Sequence, residues 1–161
     1  GLTENYTLEF AQMAAPYRMY WIEEALPPHD YAGYARLRAK LKPVLTATGE
    51  HEYGRQGFRL LLEHNSADIW QPDVHWGGGI TELRRIAALA SVYDIPVIPH
   101  GGGARDAIHL VMATVNCPWA EMFRPVPTKQ YEEENHITRG PEGVYTRASD
   151  KPGFGWDFVV G

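Results

Sequence analysis

Glu23, Glu50, Asp73, His100 and Glu121 each close a short apolar run, and the steps between them are 27, 23, 27 and 21 residues. Carboxylates and an imidazole gathered in one place can hold a divalent cation and move a proton. One acid at the end of an apolar run is unremarkable. Five polar closures at nearly constant spacing imply a fold that delivers them to a common edge.

Glu23 and Glu50 fall at the ends of consecutive runs, which would lie roughly 5 Å apart if the runs pair as strands. Carboxylates that close repel unless a proton or cation sits between them. No Cys and no paired His stands beside them, so the oxygen-only donors favour Mg²⁺ over zinc. Strand alternation turns Glu24 to the face opposite Glu23, so one member of that pair is expected inside. Asp73 and His100 end the next two runs and are expected to hydrogen-bond. A carboxylate on one ring nitrogen fixes the tautomer and raises the basicity of the other, which prepares a general base. His51, directly after Glu50, is a second candidate for contacting substrate or donating a proton, and His75 is a weaker one. His29, His64, His109 and His136 read as ordinary surface histidines.

Two glycine clusters invite chemistry of their own. Gly101-Gly102-Gly103 resembles an esterase oxyanion hole, but Ser66, Ser91 and Ser149 sit in no G-x-S-x-G elbow, so that reading fails. Trp76-Gly77-Gly78-Gly79 precedes a helical stretch and reads either as a phosphate cradle or as a tight turn. No H-E-x-x-H, P-loop or G-x-G-x-x-G signature is present.

The elements that must position these residues are legible as alternating periods. MYWI (19–22), PVLTAT (43–48), ADIWQ (67–71), IPVI (95–98) and the weaker PWAEMF (118–123) read as strands. Between them TELRRIAALASVYD places Leu83, Ile86, Ala87 and Ala90 on one helical face, with Thr81 as the expected N-cap. GYARLRAKL and YGRQGFRLLLEH read the same way, with Leu37, Leu41, Phe58, Leu61 and Leu62 inward. Alternating strands and helices predict right-handed βα units around a parallel sheet or barrel, whose strand carboxyl ends carry the active site.

Composition narrows the function. The 161 residues, 44% hydrophobic and 22% charged, fit a globular domain with a real core. A net charge of -5 offers no basic stripe for nucleic acid. The single cysteine predicts a reducing, cytoplasmic setting, and no apolar run reaches the ~18 residues of a membrane span. The expectation from composition is a globular domain with neither nucleic acid nor membrane as partner.

WIEE (21–24), TGEHE (48–52), DIWQPDVHWGGGITEL (68–83) and IPVIPHGG (95–102), in that order, resemble the carboxyl-terminal barrel of the enolase superfamily. Within it, GEH (49–51), QPDV (71–74), PHG (99–101) and the late DKPGFG (150–155) are most similar to the acid-sugar dehydratases, those of L-rhamnonate-like acids in particular. The resemblance implies an α/β fold that is a partial TIM-like (β/α) barrel, about its last five strands. Residues 1–125 would form the βα units and 126–161 a carboxyl-terminal extension packing on the barrel or a capping domain. It implies Mg²⁺ on Glu23 and Glu50, a His100–Asp73 base, and return of a proton to the departing hydroxyl. Glu121 would contact substrate or the enediolate, and the product would be a 2-keto-3-deoxy acid. The family's first metal ligand, an Asp, is expected a few residues before Gly1, and its lysine-bearing strand and amino-terminal capping domain also fall upstream. Half a barrel would expose sheet edges and apolar interior, and family members commonly form homo-oligomers. After the base, Gly103 to Asp106 depart from the serine and aromatic residues expected there. A racemase, epimerase or cycloisomerase of the same superfamily, and a non-catalytic packing or binding module, are the alternative readings.

Overall fold

The computed structural model describes residues 1–102, 106–122, 129, 133, 137–141 and 143–155. Phe123, His136, Gly103 and the 125–126 boundary lie outside them. Three parallel strands, β1 (Trp21–Glu23), β2 (Leu45–Thr48) and β3 (Ile69–Trp70), pair in that order. Glu23 stands level with Ala47, and Ala47 with Ile69. Helices α1 (Glu4–Ala14), α2 (Tyr31–Leu41), α3 (Gly54–Glu63), α4 (Gly79–Ser91) and α5 (Ala107–Met112) fill the intervals. An antiparallel hairpin, β4 (Thr138–Gly140) and β5 (Gly143–Tyr145), follows and is fully exposed. Among the described residues no helix is long and apolar enough to cross a membrane.

Local chemistry places each element. Thr3 Oγ1 accepts the Tyr6 amide at the start of α1, and Asp30 Oδ1 accepts the Gly33 amide at the start of α2. After β1 the chain breaks at Leu26-Pro27-Pro28, and the buried Tyr34 hydroxyl pins that break. It donates to the Leu26 carbonyl at 2.8 Å and accepts the Leu26 amide at 3.2 Å. The expected inward faces of α3 and α4 pack as one core, with Phe58, Leu61, Leu83, Ile86, Ala87 and Ala90 against Trp70 and Val97. Leu62 is only partly buried at its margin. The opposite face of the sheet carries a second cluster of Ala47, Ile69 and Ile98 with Trp21 and Leu45. Trp119 stacks on Trp21 with ring centroids 5.5 Å apart, partly covering that inner face.

Three expectations are corrected. The fourth run is held to the sheet by isolated parallel bridges, Trp70 to Val97 and Asp73 to His100, rather than by a continuous strand. Pro96 and Pro99 have no amide hydrogen, which leaves Val97, Ile98 and His100 as donors. The fifth run forms no strand over 118–122, although the Val97 amide donates to the Asn116 carbonyl and so brings that chain alongside. Thr81 lies inside α4, whose N-cap is Gly78 at φ 105°. The turn after Asp73 winds early, with Gly77 and Gly79 amides donating to the Asp73 and Val74 carbonyls, so the helix starts before Thr81.

Asp68 ties α2 to the sheet. Its carboxylate accepts from Arg38 Nε at 2.8 Å, Lys42 Nζ at 2.6 Å and the Thr46 amide at 3.0 Å. Burial pushes its pKa up, but Lys42, the Thr46 amide and Arg38 outweigh this and hold it below the usual 3.8. Asp68→Asn is expected to cost about 2 kcal/mol at neutral pH, as for hydrogen bonds to a charged group. A depressed folded pKa gives stability that is complete above 3.8 and vanishes as pH falls through the lower folded value. Urea midpoints of wild type and variant should therefore converge only in that acid range.

Candidate active site

The cluster begins on the inner face of the sheet. Trp21 and Leu45 belong to that face, so Glu23 two residues along β1 and Ala47 two along β2 share it. Glu23 accepts from Gln71 Nε2 at 2.7 Å. Ile69 lies on the same face, and Gln71, two residues further, points with it. Gly49 then turns the chain at φ 135° where a Cβ would come within 2.8 Å of the Phe58 ring, and this turn presents Glu50 and His51 at the rim.

His100 is the hub. Its Nδ1 lies 2.8 Å from Asp73 Oδ2, and its Nε2 lies 3.2 Å from Glu50 Oε2. The other Asp73 oxygen accepts the His75 and Trp76 amides at 2.7 and 2.8 Å, so the carboxylate is held on both sides. Burial alone would raise the Asp73 pKa, yet His100 and these amides bring it below the carboxylate range. An ionised Asp73 must receive the Nδ1 proton, which puts the other nitrogen toward Glu50. Burial lowers the His100 pKa, but the Asp73 hydrogen bond and the charges of Glu50 and Glu121 overcome it and raise the imidazole above 6.5. Glu121 is placed beside it by accepting the Gly101 amide at 2.8 Å.

Glu50 shows the opposite pressure. Burial first, then the charges of Glu24 and Glu23, push its pKa up, against His100 and His51. Three carboxylates therefore feel one another here. The alternation argument for Glu24 does not hold, because β1 ends at Glu23 and Glu24 takes a left-handed φ of 45°. Its carboxylate bends back to accept from the Thr48 hydroxyl and, at 3.4 Å, from the Gly49 amide. His51 Nδ1 lies 3.3 Å from Glu24 and 3.5 Å from Glu50 without hydrogen-bond geometry to either, and its ring meets the edge of Trp76. His75 turns away to Asp106, at 3.0 Å. The Trp76 to Gly79 segment is a tight turn in which the amides of His75, Trp76, Gly77 and Gly79 are donated to Asp73 and Val74.

The described residues contain no group of three or more His, Cys, Asp or Glu arranged to hold a metal. Glu23 and Glu50 are nevertheless a hard, oxygen-only, partly buried pair under mutual repulsion, which suits part of the shell of a magnesium-type dication. Sequence reasoning missed two members of the cluster, Glu24 and Gln71. Nothing in the pattern signals the left-handed turn at Glu24. Gln71 was findable as a polar residue in phase with the inward Ile69. In metal-free protein, His100 is expected to titrate above 6.5 by NMR and Asp73→Asn to lower that value; an unmoved titration would remove Asp73 as its cause.

Residues 1–159 match the family described as enolase C-terminal domain-like. The L-rhamnonate dehydratase of Saccharopolyspora erythraea is 42% identical over 161 residues, covering 96% of this chain and 41% of that protein. The crystal structure of L-rhamnonate dehydratase from Gibberella zeae superposes with a TM-score of 0.81 at 38% identity, covering 99% of this chain and 42% of that one. A Mg complex of rhamnonate dehydratase from Gibberella zeae gives 0.69 at 42% identity, over 74% of this chain and 29% of that one. The chain thus spans about two fifths of the length of its curated relative.

Proposed function

The chain belongs to the enolase C-terminal domain-like family, and from that premise we propose that it is the catalytic part of a Mg²⁺-dependent acid-sugar dehydratase. Residues 1–125 are its barrel units and 126–161 its carboxyl-terminal extension. The substrate is an L-rhamnonate-like acid and the product its 2-keto-3-deoxy form. One observation carries the reading: a single imidazole bridges an orienting carboxylate, Asp73, and a rim carboxylate, Glu50.

Glu23 and Glu50 would hold the cation, which when bound would supply positive charge to offset the charge that develops on the substrate carboxylate as the adjacent carbon loses its proton. His100 Nε2 takes that proton while Asp73 keeps the Nδ1 proton and the ring plane in place. The hydroxyl on the next carbon leaves as water, with the proton returned by His100. The resulting enol becomes the 2-keto acid. Glu121, on the Gly101 amide, and His51, between Glu24 and Glu50, face the same substrate.

The test is a screen of the full-length protein against L-rhamnonate, L-mannonate, L-lyxonate and related acids, with 2-keto acid detected by semicarbazide. Mg²⁺-dependent product is the expected result. Deuterium exchange beside the carboxylate without 2-keto acid would replace dehydration with racemisation or epimerisation. Neither exchange nor product from any acid would leave a binding or packing module.

A further inference from the structure

Gln71 is an expensive residue for its place. The residue is 2% exposed, and its Oε1 is buried with no hydrogen-bond partner among the described residues. Buried polar atoms are normally satisfied, and a Met or Leu would fill similar space without an orphaned carbonyl. What the amide supplies, and an apolar side chain cannot, is the 2.7 Å donation from Nε2 to Glu23 Oε2. The backbone beneath it is fixed as well: the Gln71 amide donates to the Thr48 carbonyl at 3.0 Å, and a Cβ on Gly49 would lie 3.1 Å from that amide nitrogen.

We infer that Gln71 is a positioning residue that sets the Glu23 carboxylate for the cation; this rests on the reading of Glu23 as a ligand. A neutral donor suits the task. It occupies one oxygen and fixes the carboxylate plane, leaving Oε1 and the full negative charge for the cation. A Lys or Arg in its place would cancel that charge. Groups that orient metal ligands in this way typically change affinity 10–100-fold when removed.

The experiment compares Mg²⁺ binding by calorimetry in full-length wild type, Gln71→Met and Glu23→Gln. Gln71→Met is expected to bind about 10–100-fold more weakly, while its metal-free melting temperature stays level or rises as the orphaned carbonyl disappears. A variant that folds only in part is read through the EPR spectrum of bound Mn²⁺, which reports ligand symmetry whatever fraction is folded. Wild-type affinity and an unchanged Mn²⁺ spectrum in Gln71→Met, with binding lost in Glu23→Gln, would overturn the inference while leaving the ligand reading intact. Equal binding by wild type and Glu23→Gln would overturn the ligand reading itself.

Discussion

His100→Asn in the full-length protein is expected to lower turnover by about 10³-fold or more, within the range of general acid–base contributions, while Mg²⁺ affinity stays within about threefold of wild type. The asymmetry follows from geometry. Asn can still donate toward Asp73, so the 2.8 Å partner is not abandoned, but nothing remains at Nε2 to accept a proton. The carboxylates of Glu23 and Glu50 both remain, and Glu50 gives up only its 3.2 Å contact with the imidazole. Steady-state kinetics on the active acid, beside calorimetry with Mg²⁺, reads both quantities. Retained turnover would remove His100 from the base role. Lost turnover together with lost metal would mean that the imidazole belongs to the cation shell instead.

Glu50→Gln should abolish Mg²⁺ binding, by about 100-fold or more, and turnover with it, because it removes the charge of one of the two ligands proposed within this chain. The same change should help the metal-free fold. Burial and the neighbouring Glu24 and Glu23 charges raise the Glu50 pKa above 4.5 in the folded protein. The folded state then binds the proton more tightly than the unfolded state, so stability falls as pH rises through that interval. Metal-free wild type should lose stability from pH 4.5 upward, and Glu50→Gln should lack that loss. Denaturant midpoints measured across the interval in EDTA decide this. A variant less stable than wild type at every pH would show that the Glu50 contacts outweigh its desolvation.

Three of the five runs form strands, β1, β2 and β3, because βα spacing is a property of the chain itself: one strand, one helix and two turns use nearly the same number of residues each time; the runs before His100 and Glu121 do not. Side-chain period two limited the inward position to one of Glu23 and Glu24, the family resemblance chose Glu23, and period 3.6 gave the buried faces of α3 and α4. Where reading failed, a single backbone torsion or a missing hydrogen intervened. The left-handed φ at Glu24 cancels alternation at the residue where it was assumed. Pro96 and Pro99 leave an apolar run with too few donors to ladder, though hydrophobicity alone suggests a strand. The winding at Gly77 to Gly79 depends on carbonyls that only the folded turn brings near, so the start of α4 was hidden behind a good capping residue. Gln71 went unnoticed because its significance lies in an atom from β1, 48 residues away.

Asp73 divides its two oxygens between the loop that starts α4 and the ring of His100. That division closes the position to drift. Asn could keep one set of contacts but not an anion against the imidazole, and Glu would carry the charge too far out to grip both amides. A substitution at Asp73 therefore reaches the turn before α4 and the His100 ring together, because one side chain couples them.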